Sequence, residues 1–114
     1  MEDCIFCKIL NGEIPCKKVY EDDQVLAFHD VNPAAPVHVL VIPKKHIQDI
    51  TQVCAEDMPY VDAAIRAAQK IAAELNLYPD GFRLVVNTGN LGGQTVPHLH
   101  FHILGGRMLA WPPG

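Results

Sequence analysis

"GGQTVPHLHFHILGG", residues 92–106, sets three of the chain's six histidines at alternate positions, His98, His100 and His102. Leu99, Phe101 and Ile103 fill the places between and after them. Successive side chains of a β-strand point to opposite faces, so this order puts the imidazoles on one side and the apolar residues on the other. Residues 98–104 therefore read as a strand that divides chemistry from core. A face that merely met water would more often carry Lys, Thr or Glu.

The elements around it follow from the same periodicity. "VHVLVIP", 37–43, is β-branched and nearly continuous in apolar character, as a strand covered on both faces would be. "CKKVYEDDQVLAFHD", 16–30, reads as a hairpin: Val19 opens one strand, Glu21-Asp22-Asp23 turn, and Val25 to His29 form the next. "FRLVVNTG", 82–89, supplies a further strand. From about Glu56 the period becomes helical, with Val61, Ala64, Ile65, Ala68, Ala72 and Leu75 on one face and Pro59 near the first turn. "YPDG", 78–81, stops that helix. "CIFCKILNG", 4–12, reads as a short helix ended by Gly12. The predicted class is α+β: a mainly antiparallel sheet with one long and one short helix. With no repeat and no linker, residues 1–114 are expected to form one domain.

Composition narrows the partners. The chain is 49% apolar and 19% charged, which is a globular balance. Nine Lys and Arg against thirteen Asp and Glu give a formal charge of −4. That sign argues against a nucleic acid polymer or an anionic membrane as partner, while a small phosphorylated ligand stays allowed. "MEDCIFCKIL" has no basic region followed by an apolar block, and no apolar run nears the ~20 residues of a membrane span. A cytoplasmic location is the expectation. There, the C-x-x-C pair Cys4 and Cys7 suggests metal or redox chemistry more than a structural disulfide. Cys16 and Cys54 stand apart.

Three imidazoles in a row can hold a metal or attack a substrate. Carbonic-anhydrase-like sites use an H-x-H pair on a strand and sheet-based metal oxygenases add a nearby carboxylate, but no Asp or Glu follows in "ILGGRMLAWPPG". The preceding "GGQT" offers backbone N–H groups and a hydroxyl, which suit phosphate oxygens. A neutral imidazole is a competent nucleophile toward phosphorus, and nearby donors would stabilise the charge that develops.

"HLHFHIL" resembles the histidine triad signature. "IPCKKVYEDDQVLAFHDVNPAAPVHVLVIPKKHI", "VVNTG", "GGQTVPHLHFH" and the terminal "WPPG" are similar to the histidine triad nucleotide-binding (Hint) branch. The resemblance implies a homodimer joining two five-stranded sheets into one of ten. It implies binding of purine nucleoside monophosphates, and hydrolysis of purine nucleoside 5′-phosphoramidates and acyl-nucleotides through a nucleotidyl-histidine. His100 is similar to the nucleophile and His102 to a donor toward a phosphate oxygen, helped by the Gly93–Thr95 backbone. His38 resembles the residue that fixes the nucleophile's tautomer. Asn87, Gly93, Gln94 and Thr95 match phosphate-side positions, with Thr95 where a serine is usual in animal relatives. Asp30 resembles the ribose-binding carboxylate. Ile5, Phe6, Ile9, Phe28, Val31 and Leu40 would form the apolar slot for the base. Some microbial relatives place a structural zinc on residues matching Cys4, Cys7, His46 and His98, and no catalytic metal is expected. Two other activities stay open: cleavage of dinucleoside polyphosphates, and nucleotide-dependent regulation with incidental hydrolysis. The apolar tail around Met108, Leu109 and Trp111 also needs a surface to cover, a second hint of a dimer.

Overall fold

A computed structural model describes residues 3–114. The element order is α1 (Ile5–Leu10), β1 (Lys18–Glu21), β2 (Val25–His29), β3 (Val37–Pro43), α2 (Met58–Glu74), β4 (Phe82–Val85) and β5 (Phe101–Gly105), with 3-10 turns at Ile50–Gln52 and Ala55–Asp57. The five strands form one sheet in the order β1-β2-β3-β5-β4, every neighbouring pair antiparallel. The α+β expectation therefore holds, including both helices and the hairpin.

Alternation along the two central strands sorts the core into two layers. Val25, Ala27, Val39 and Val41 pack with Leu99, Phe101 and Ile103 against the buried face of α2. Leu26, Phe28, Leu40 and Ile42 face the other way and pack with Cys4 and Phe6 of the α1 segment. Each Val, Leu or Ile so buried contributes on the order of 1.5–3 kcal/mol. This explains why 37–43 carries an unbroken apolar run: helices cover it on both sides.

Three local expectations shift. The strand begins at Phe101, so His98 to His100 precede the ladder in irregular backbone. Their alternation survives, because Leu99 is buried in the α2 layer like Phe101 and Ile103. On α2 the buried stripe is Ala63, Ala64, Ala67, Ala68, Ile71 and Ala72, whereas Ile65 is 40% exposed. Small alanines let the helix lie close to the sheet, and that close approach, not the bulkiest residue, chose the face. Finally, α2 ends earlier than "YPDG": Asn76 takes φ +58°, the left-handed conformation that terminates helices.

Candidate functional site

Cross-strand register brings the histidines together. His102 pairs with Leu40 and His38 with Leu104, so both imidazoles project from the α1 face of β5 and β3. Phe28 pairs with Leu40 in turn, extending that row onto β2. Phe6 caps it, its ring meeting the edges of Phe28, His98 and His100 at centroid distances of 5.9, 5.7 and 5.1 Å.

The hydrogen bonds fix where each ring keeps its proton. His100 Nδ1 lies 2.7 Å from the His98 carbonyl. A carbonyl only accepts, so Nδ1 carries the hydrogen and Nε2 the lone pair. The Ala34 N–H donates to His38 Nδ1 at 3.0 Å, which leaves the His38 proton on Nε2. That nitrogen is 2.9 Å from His102 Nδ1, and Asp30 Oδ2 stands 3.4 Å from it. His102 Nδ1 thus accepts, and its own proton sits on Nε2. This last atom is buried without a partner among the described residues. A buried donor left unpaired costs about 1–3 kcal/mol, and a ligand oxygen would recover it.

Burial keeps the rings neutral. It pushes His102 down to about 4, with His100 and His38 adding to the effect. His100 and His38 are lowered by the same cause, partly opposed by Asp30. At neutral pH the site presents an uncharged nucleophilic nitrogen beside an uncharged donor, the two rings 4.9 Å apart.

The sequence expectation for His38 is corrected here. Its partner is His102 rather than His100, because β3–β5 register puts it next to His102, while His100 precedes the ladder and turns to its own backbone. The phosphate-side loop also differs. The Gly93 and Gln94 N–H groups are taken by Asn90 and Gly89 carbonyls. The Gln94 side chain accepts from the Gly89 N–H and donates to the Gln48 and Val96 carbonyls, acting as a strap across the loop. Of the expected donors in that stretch, the exposed Thr95 keeps its N–H and hydroxyl unengaged among the described residues. Asn87 is half-buried. Asp30 uses Oδ1 to accept from the Asn32 N–H at 2.8 Å, so it is both a turn former and the carboxylate beside His38. Of the six slot residues, Phe6, Phe28 and Leu40 are buried together with Ile9 against them, Ile5 is exposed, and Val31 is 90% exposed. A cavity of about 490 Å³ opens elsewhere, near Leu77, Phe82, Arg83 and Met108, and no histidine lines it.

The cysteine pair forms a second cluster. Cys4 caps α1 and accepts the Cys7 N–H at its sulfur. Cys4 Sγ and Cys7 Sγ lie 3.3 and 3.6 Å from His98 Nδ1, and Cys7 Sγ lies 3.3 Å from His46 Nδ1. The four ligand atoms all fall within 4.8 Å of one another. A tetrahedral ion with sulfur at ~2.3 Å and nitrogen at ~2.0–2.1 Å sets such atoms about 3.5 Å apart. His98 Nε2 donates to the Pro43 carbonyl at 3.0 Å, so its Nδ1 lone pair faces the thiols. Residues Cys4, Cys7, His46 and His98 could hold a metal ion. Asp30, His38 and His102 are equally close-set, but the proton on His38 Nε2 fills the space between them. That trio is arranged to relay hydrogen bonds.

Known proteins share this sequence pattern and this fold. The family model described as HIT domain matches residues 11–109. Uncharacterized HIT-like proteins of Synechococcus elongatus and Synechocystis sp. are each 54% identical over 113 residues, covering 99% of this chain and 98% of theirs. The structure of a HIT family hydrolase from Legionella pneumophila superposes with a TM-score of 0.95 at 48% identity, covering 98% of this chain and all of that one. A histidine triad protein from Clostridium difficile gives 0.93 at 52%, covering 96% of each. With the triad, its sheet and its relatives in agreement, the chain belongs to the HIT-domain, or histidine triad, family.

Proposed function

We propose that the protein is a hydrolase of purine nucleoside 5′-phosphoramidates and related acyl-nucleotides. The observation that carries this reading is the paired tautomers: a lone pair on His100 Nε2, locked by the His98 carbonyl, beside an unpartnered N–H on His102. His100 Nε2 attacks the α-phosphorus, and the bond from phosphorus to the leaving nitrogen breaks. The amine leaves with a proton from solvent. The new bond gives the ring a positive charge, which the His98 carbonyl stabilises through Nδ1–H. His102 Nε2–H donates to a phosphoryl oxygen throughout. Water then attacks phosphorus, loses its proton, and releases the nucleoside monophosphate and neutral His100. Asp30, with one carboxylate oxygen near His38, binds the ribose hydroxyls, and Phe6, Phe28 and Leu40 floor the base slot. Thr95 adds a hydroxyl on the phosphate side, and Asn87 an amide.

Zinc is the metal we assign to Cys4, Cys7, His46 and His98, since two thiols and two imidazoles at tetrahedral spacing suit it. Bound there, it supplies structural cross-linking between α1, the end of β3 and the triad segment. The chain forms a homodimer through the β4 edge, which supports the idea by exposing Phe82 and Leu84 beside unpaired backbone.

The test is steady-state kinetics on adenosine 5′-phosphoramidate, with a dinucleoside tetraphosphate alongside. His100→Ala should bind the nucleoside monophosphate like the parent while turnover disappears. Parent-rate turnover by that variant, or negligible turnover by the parent, rejects the reading.

A further inference from the structure

The tail after β5 carries no periodic signal, yet it touches the segment that sets the His38 tautomer. Arg107 Nη2 donates to the Ala34 carbonyl at 2.8 Å, while its Nη1 donates to the Met108 carbonyl. Gly106 stands just before it at φ +90°, and a Cβ there would come within 2.9 Å of the Pro36 Cβ. Only a glycine lets the chain turn this close to Pro36, so the tail is brought against residues 34–36 from two points. Val31 to Ala34 are all exposed and packing resumes only at Ala35, so Arg107 is the partner the Ala34 carbonyl has among the described residues. From Ala34 the contacts continue inward: its N–H to His38 Nδ1, His38 Nε2–H to His102 Nδ1, and His102 Nε2 to the place left for a ligand.

We propose that Arg107 is a positioning residue for the His38–His102 pair, holding Ala34 so that its N–H dictates which nitrogen of His38 carries the proton. Its consequence for turnover rests on the functional reading above; the tautomer itself does not. With Ala34 released, His38 can protonate at Nδ1 instead. Its Nε2 then accepts, His102 must protonate at Nδ1, and the His102 Nε2 turned toward substrate becomes a lone pair. A lone pair repels a phosphoryl oxygen where a donor attracts it. Asp30 Oδ2, 3.4 Å from His38 Nε2, still favours the original arrangement, so the loss is partial.

The experiment compares the full chain with Arg107→Lys, which can still donate to a carbonyl, and with Arg107→Met and Arg107→Gln, which cannot reach it as donors. Histidine ring nitrogens are read by 15N NMR on the ligand-free proteins, with kcat and KM measured on the phosphoramidate. The parent and Arg107→Lys should show one His38 tautomer, unprotonated at Nδ1. Arg107→Met and Arg107→Gln should show a mixture, with kcat down roughly ten- to a hundredfold and KM within about twofold. A role in stability alone would lower the melting temperature and leave the tautomer untouched. A parent-like His38 spectrum in a folded Arg107→Met or Arg107→Gln protein overturns the proposal, whatever the turnover. Should His100→Ala retain activity instead, the functional reading fails and the NMR result still stands.

Discussion

His102 shows how much one ring proton decides. Held at about 4 by burial and by its two imidazole neighbours, it stays neutral through the physiological range and donates only from Nε2. Protonation at Nδ1 would leave that donor in place, so the acid limb of the rate belongs to His100, whose lone pair must stay free. Burial lowers the His100 pKa, and activity should persist below pH 6.5, the ordinary histidine value. A pH–rate profile with its acid limb at 6.5 would contradict this. The shift at His102 makes stability pH-dependent. Between 6.5 and about 4 the unfolded chain takes up a proton at position 102 that the folded chain does not, so stability declines over that window as pH falls. Replacing His102 by Ala should cost about 10²–10³ in kcat, the usual loss for one donor to a developing oxyanion. The triad's alternation was legible in the sequence because a strand's period is fixed. The role of His38 was not, because it depends on a loop at 30–36 bringing Ala34 back to the ring. Arg107 and the Gln94 strap were hidden for the same reason: their partners are backbone atoms, which leave no residue type to notice.

At the scale of elements, α1 does more than close the second core layer. Its Phe6 rests edge-on against His98 and His100, so six helical residues pack the triad segment against the sheet. Phe6→Ala should destabilise the fold by roughly 3–5 kcal/mol in denaturant titration and reduce turnover. A loss below 1 kcal/mol would show that α1 is not packed as described. Helix α2 carries the opposite lesson. Its existence and Pro59 near its start were readable from the helical period, but the buried face was misjudged at Ile65. Periodicity finds a stripe and cannot by itself say whether the larger side chains or the smaller ones face a nearby sheet.

At the scale of the whole molecule, the cluster of Cys4, Cys7, His46 and His98 and the triad share one residue. His98 offers its ring to the thiols and its backbone carbonyl to His100. Stripping the metal with a chelator should lower the melting temperature by several degrees and reduce turnover, both restored by zinc. Elemental analysis of protein purified without added zinc should find about one ion per chain, lost in the Cys4→Ser, Cys7→Ser variant. Equal metal content in both would remove the site. The free β4 edge makes a separate prediction: Leu84→Glu should convert a dimer to a monomer in sedimentation velocity, and a parent that sediments as a monomer defeats it. Among the described residues no helix is long and apolar enough to cross a membrane.

The most direct measurement is to quench the reaction with phosphoramidate during turnover, digest the protein, and locate the nucleotidyl group by mass spectrometry. The expected result is a monophosphate adduct on His100, absent from His100→Ala. An adduct on any other residue, or full turnover with none detectable, would contradict nucleophilic attack by His100.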